Sequence, residues 1–215
     1  MFLLGLMLAL VSTAGAPPVQ VQVRRASSPP RIVAIGDSLT SGHGIGKELA
    51  YPAVLQEKLA ASGFDYELVN AGVSGDTSTG ALRRLSRALD GDVRVLVVAI
   101  GANDGIRGVP TATVKSNVSQ IISTAHARGI SVVLCGMEAL PIHGMEYSVA
   151  FHNAFADLAA RFKVMFVPFL LKDVILDPNM LQPDRIHPNA AGARRIADNV
   201  WPYLEAVLRA LATQS

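Results

Sequence analysis

The chain has 215 residues, half of them hydrophobic and 17% charged, which fits one folded domain with a substantial core and argues against intrinsic disorder. A formal net charge of +2, with no dense run of Lys or Arg, argues against nucleic acid as a partner. The single cysteine, Cys135, allows neither an internal disulfide nor a cysteine-rich metal site, and inside the run Val-Val-Leu-Cys it reads as a core residue.

The chain opens on an apolar block, Phe2 to Val11 (FLLGLMLALV), too short to span a bilayer. Ala14-Gly15-Ala16 follows in the manner of an export cleavage site, although no Lys or Arg precedes the block and Pro17 would follow the cut. We expect residues 1–16 to be a signal peptide, with export to the periplasm or beyond and no stable membrane anchor. Residues 17–30 (PPVQVQVRRASSPP) read as a flexible linker, and residues 31–215 as the folded domain.

The first strand is predicted at Ile32–Ile35, and the chain leaves it through Gly36-Asp37-Ser38 and the glycines Gly42, Gly44 and Gly46. Tyr51, Leu55 and Leu59 recur every four residues and predict a helix. A second strand at Tyr66–Val69 runs into Asn70-Ala-Gly-Val-Ser-Gly75-Asp76, and Arg83, Arg84 and Arg87 then read as the solvated side of a helix. The third strand, Val93–Ile100, ends in Gly101-Ala-Asn103-Asp104-Gly105. Val114, Val118, Ile121 and Ala125 mark another helix, and Ile130–Leu134 and Val164–Val167 two more strands. Ile196, Val200, Leu204 and Leu208 mark a last helix, which Pro202 is expected to kink.

Several strand runs are apolar throughout rather than alternating, as expected for parallel strands covered on both faces. Strands alternating with helices predict a parallel sheet between helical layers. Functional groups in such sheets gather beyond the strands' carboxyl ends. The polar, glycine-bearing loops after the first three strands should therefore share one rim.

Ser38 on that rim is a candidate nucleophile, but a serine hydroxyl needs a base. His187, in Pro183-Asp184-Arg185-Ile186-His187-Pro188-Asn189, is the candidate base, and Asp184 lies one turn upstream, where a carboxylate fixes the imidazole tautomer. His126 reads as a helix-end residue, His152 as an ordinary helical one, and His143 as a candidate for a substrate cleft. His43 follows Ser38 too closely along the chain to oppose it. Acyl transfer also needs donors for an oxyanion. The Ser38 amide, Gly75 and the Asn103 carboxamide are candidates, beside the plainer readings that Gly75 serves turn geometry and Asn103 caps a turn. Asp76 is expected to cap the helix beginning at Thr77, and Asp37 to brace the serine turn. No His/Asp/Glu set has metal-ligand spacing, so neither metal nor cofactor is expected.

In order, "GDSLTSGHG", "NAGVSGDTS", "GANDG" and "DRIHPNAAG" resemble the four signature blocks of the GDSL, or SGNH, hydrolase superfamily. "NAGVSGDTSTGALRRL", "GANDGIRG" and "LQPDRIHPNAAG" are most similar to its acyl-CoA thioesterase I, lysophospholipase L1 and arylesterase group. The resemblance implies an α/β fold: a flavodoxin-like three-layer α/β/α sandwich on a central parallel five-stranded sheet. It also implies metal-independent cleavage of a small-molecule acyl ester or thioester. Ser38 would be the nucleophile, His187 the base and Asp184 its orienting partner, with Ser38, Gly75 and Asn103 forming the oxyanion hole. The serine-loop glycines would let the loop approach substrate. Arg185 stands where family members often carry glycine, and His43 where an aromatic is common. Ile106, Val109, Met137, Leu140, Pro141 and Ile142 are candidates for an apolar wall beside the site, and Gly105 and Gly108 suggest a pliable loop there. Two rival readings are a carbohydrate acetyl esterase and a non-catalytic acyl-chain binding protein.

Overall fold

The computed structural model describes residues 28–213. The expected signal peptide, and the expected linker up to residue 27, lie outside the described residues. The apolar runs form five strands: β1 (Arg31–Gly36), β2 (Glu67–Gly72), β3 (Val93–Ala99), β4 (Ser131–Cys135) and β5 (Met165–Val167). They make one sheet, ordered β2-β1-β3-β4-β5, with every neighbouring pair parallel. In β1, Ile32 to Ile35 are fully buried, as are Val95 to Ala99 of β3, because helices cover both faces of the sheet's centre. Strand β2 lies at the sheet edge and is only partly buried.

Helices α2 (Tyr51–Ala61) and α7 (Ala190–Ala212) pack together over one face, and α3 (Ser78–Ala88), α5 (Thr111–Ala127) and α6 (Met145–Phe162) over the other. The predicted stripes are the buried ones: Tyr51, Leu55 and Leu59 in α2, Val114, Val118, Ile121 and Ala125 in α5, and Ile196, Val200, Leu204 and Leu208 in α7. Pro202 lies inside α7 without ending it. Val200 and Leu204 on either side of it are fully buried, so packing holds the helix through the position where proline withholds an amide. Burial pushes the Cys135 thiol up to about 12, which leaves it an inert core residue.

Strand order positions the site. From β1 the chain passes to β2 on one side and then returns to lay β3 on the other. The crevice between the loops that follow β1 and β3 is therefore a topological switch point, the place where such sheets bind ligands. Two short helices occupy that rim: α1 (Ser38–Ser41), after β1, and α4 (Ala102–Arg107), after β3. Among the described residues, no helix is long and apolar enough to cross a membrane.

Candidate active site

Ser38 is the first residue of α1, directly after Asp37, whose side chain accepts the Leu39 amide at 3.0 Å. The one-turn helix is fastened from below. Thr40 is buried with its hydroxyl 3.1 Å from that of Tyr51, and Asn70 donates to the Thr40 carbonyl at 2.8 Å. The glycines around the serine serve backbone shape more than access. Gly42, Gly44 and Gly46 hold φ of 78°, 76° and 85°, the left-handed region that side chains resist. A Cβ on Gly36 would lie 2.5 Å from the Ala99 carbonyl of β3.

The candidate base, His187, arrives from the other end of the chain. Leu181 and Pro188 form an antiparallel bridge, and the Gln182 amide donates to the His187 carbonyl at 2.8 Å, closing residues 181–188 into a tight loop. Asn189 locks its exit: Oδ1 accepts the Ala191 and Gly192 amides, while Nδ2 donates to the carbonyls of Asn179 and Leu181. Inside this loop Asp184 Oδ1 accepts the Ile186 and His187 amides, each at 3.0 Å, and Oδ2 takes His187 Nδ1 at 2.7 Å. The His187 amide, then its ring, then the Ile186 amide hold the Asp184 carboxyl well below the usual carboxylate range. With Nδ1–H committed to Asp184, Nε2 is left as the acceptor, and it lies 3.1 Å from Ser38 Oγ. Arg185, between the two, has φ 58°, a conformation costing roughly 1–2 kcal/mol in a residue with a side chain.

The loop bearing Gly75 touches the serine helix, the Ser74 hydroxyl lying 2.9 Å from that of Ser41. Among the described residues, the amides of Ser38 and Gly75 donate to no hydrogen bond. Gly75 has φ 79°, and a Cβ there would meet nothing closer than Arg107 at 4.0 Å, so backbone shape rather than crowding calls for glycine. The Asn103 carboxamide faces the Asp37 carboxyl. Asp37 is fully buried, and its Oδ2 has no well-formed hydrogen bond. Burial pushes its carboxyl up to about 6, against the lowering pull of the Leu39 amide and of Asn103.

Several expectations need correction. Asp76 does not cap α3; the Thr77 hydroxyl does, accepting the Gly80 amide. Asp76 instead accepts Arg84 Nε at 2.7 Å. Arg84 is not on a solvated face with Arg83 and Arg87. Its guanidinium donates to the carbonyls of Ala71 at 2.6 Å and Gly36 at 2.8 Å, so it ties α3 to the carboxyl ends of β2 and β1. Met137 is buried in the core, whereas Ile106, Leu140 and Ile142 stand more than half exposed. His143 is 3.0 Å from the Ile106 carbonyl, and His152 pairs with Glu138 at 2.6 Å. His43 does not oppose Ser38, but its ring lies against that of His187.

Sequence reasoning missed the buried network behind the site. Asp104, fully buried, accepts the Ser78 amide at 2.8 Å and its hydroxyl at 2.7 Å, and Asn117 donates to the Ser78 and Thr79 hydroxyls. It joins α4, α3 and α5. A carboxylate just after the Asn103 loop and an asparagine within the apolar stripe of α5 were the available signals. Among the described residues, no group of three His, Cys, Asp or Glu side chains could hold a metal ion.

The GDSL-like lipase/acylhydrolase family model matches residues 34–195. The esterase TesA of Pseudomonas aeruginosa is 39% identical over 178 residues, 82% of this chain and 89% of that protein. The thioesterase 1/protease 1/lysophospholipase L1 of Escherichia coli K12 is 33% identical over 175 residues, 81% of this chain and 83% of its own. A crystal structure of TesA superposes with a TM-score of 0.79 at 37% identity, covering 82% of this chain and 99% of the other. Motif order, sheet topology and these likenesses agree: the chain belongs to the GDSL-like lipase/acylhydrolase family and is an ester-hydrolysing serine hydrolase.

Proposed function

We propose that Ser38, His187 and Asp184 form a catalytic triad that cleaves acyl esters and thioesters through an acyl-enzyme. The observation carrying this reading is the unbroken chain of contacts, 3.1 Å from Ser38 Oγ to His187 Nε2 and 2.7 Å from His187 Nδ1 to Asp184. His187 takes the Ser38 proton as Oγ bonds to the acyl carbon, and the oxyanion is met by the Ser38 and Gly75 amides and the Asn103 carboxamide. His187 then protonates the departing alcohol or thiol as its bond to the acyl carbon breaks. In the second half, His187 takes a proton from water, whose oxygen attacks the acyl carbon, and returns that proton to Ser38 as the acid leaves. Asp184 keeps the imidazole in one tautomer throughout.

The substrate is a small acyl ester or thioester, lysophospholipids included, as the names of the relatives suggest. No step uses a metal or cofactor. Residues 31–215 are the hydrolase domain, and residues 1–16 direct export to the periplasm or beyond. The reading is tested with p-nitrophenyl esters. Ser38→Ala is expected to lose hydrolysis by 10³-fold or more while unfolding at an unchanged temperature. Substantial turnover by the folded variant would overturn the assignment.

A further inference from the structure

The triad leaves one feature of its base unused. The rings of His43 and His187 have centroids 4.5 Å apart and are tilted by 44°, within the range of an aromatic pair. Polar contacts do not account for the position of the His43 ring, because among the described residues its nitrogens have no hydrogen-bond partner.

The backbone holds it there. The His43 amide donates to the Ser38 carbonyl at 3.2 Å. Gln182 Nε2 donates both to the His43 carbonyl at 2.7 Å and to the Pro188 carbonyl at 2.9 Å. One side chain thus sews the loop bearing the nucleophile to the loop bearing the base. A Cβ on Gly44 would lie 2.1 Å from Gln182 Oε1, so glycine there is what permits the seam. His187 has its two nitrogens committed to Asp184 and Ser38. Those bonds act in the ring plane, and contact with a ring face adds resistance to tilting out of it.

We infer that His43 is a positioning residue for the catalytic base: its ring covers one face of His187 and keeps Nε2 aimed at Ser38. A flat aromatic ring suffices for this role, and no proton need pass through His43. The inference rests on the triad reading, so Ser38→Ala runs beside it as the control for that reading.

The test compares His43→Ala and His43→Phe by kcat and KM on a short, soluble p-nitrophenyl ester, and by the rate at which a fluorophosphonate probe labels the serine. Because His43 is exposed, its truncation opens no core cavity, and unfolding temperatures check that both variants fold. His43→Ala is expected to lose about tenfold in kcat and in labelling rate, the upper end of what an aromatic pair supplies, with KM within about twofold. His43→Phe is expected to recover most of that loss. A His43→Ala variant as fast as the parent would overturn the inference. So would a His43→Phe variant as slow as His43→Ala, which would make the imidazole itself necessary, as a proton carrier requires. Turnover by Ser38→Ala would instead bring down the triad reading and the inference with it.

Discussion

Asp37 shows how much a single residue can be asked to do. It precedes Ser38, braces the serine turn through the Leu39 amide, and is fully buried. Its carboxyl moves from 3.8 to about 6, so its charged form is disfavoured in the folded protein. Below about pH 4 the group is protonated in both folded and unfolded chains and contributes no difference. Between about pH 4 and 6 the folded chain holds the proton more tightly, so stability falls as pH rises. Above about 6 the full cost is present, about 3 kcal/mol at 1.36 kcal/mol per unit. Asparagine keeps the Leu39 contact and carries no charge. The expected result is that Asp37→Asn is more stable than the parent at pH 8, and that the gap in urea unfolding free energy closes as pH falls from 6 to 4. A variant less stable at both ends would contradict the assignment. The sequence made the bracing role of Asp37 legible through its place before Ser38. It did not reveal the buried carboxylate's unmet oxygen, which depends on how tightly α1 and α4 close over it.

Among the elements, α3 carries the largest difference between pattern and structure. Arg83 and Arg87 lie four residues apart and share its exposed face, while Arg84 turns inward, where Asp76 and two strand-end carbonyls meet its fork. A charge run says nothing about inward carbonyls, because those acceptors belong to β1 and β2. Strands β1, β3, β4 and β5 are legible to within one residue, since buried parallel strands advertise themselves as unbroken apolar runs. The half-buried edge strand β2 instead runs three residues past Val69, to Gly72. The short helices α1 and α4 are not legible in the sequence, because one or two turns are too brief for periodicity to register. Lysine carries the charge of Arg84 but cannot supply its planar fork. Arg84→Lys is therefore expected to cost about 1–2 kcal/mol in urea unfolding, and to lower kcat by loosening the loop that presents Gly75. Unchanged stability would show that the three contacts carry no net weight.

At the scale of the whole molecule, the sheet order does the assembling. Ser38 and His187 are 149 positions apart, yet β1 lies at the sheet's switch point, and the loop leading into α7 returns to its rim. Motif order made the triad residues and the oxyanion donors legible as candidates. It did not make the contact between His43 and His187 legible, because proximity along the chain argued only against His43 opposing Ser38. The two rings meet because Gln182 draws two distant loops together. The same rim carries the exposed Ile106, Leu140 and Ile142, apolar surface that an acyl chain can cover. A panel of p-nitrophenyl esters is accordingly expected to give kcat/KM that rises from acetyl to medium chains, each buried methylene contributing up to about 0.8 kcal/mol. Rates confined to acetyl esters would remove the rim from substrate binding and favour a small-acyl esterase.

The most direct test of the triad is to find where a mechanism-based reagent attaches. The protein is treated with a fluorophosphonate, digested, and the adduct mapped by mass spectrometry, with His187→Ala as the comparison. One adduct per chain, on the peptide bearing Ser38 and formed at least about 10²-fold more slowly without the imidazole, is the predicted result. An adduct on another serine, or no adduct while ester turnover continues, would contradict it.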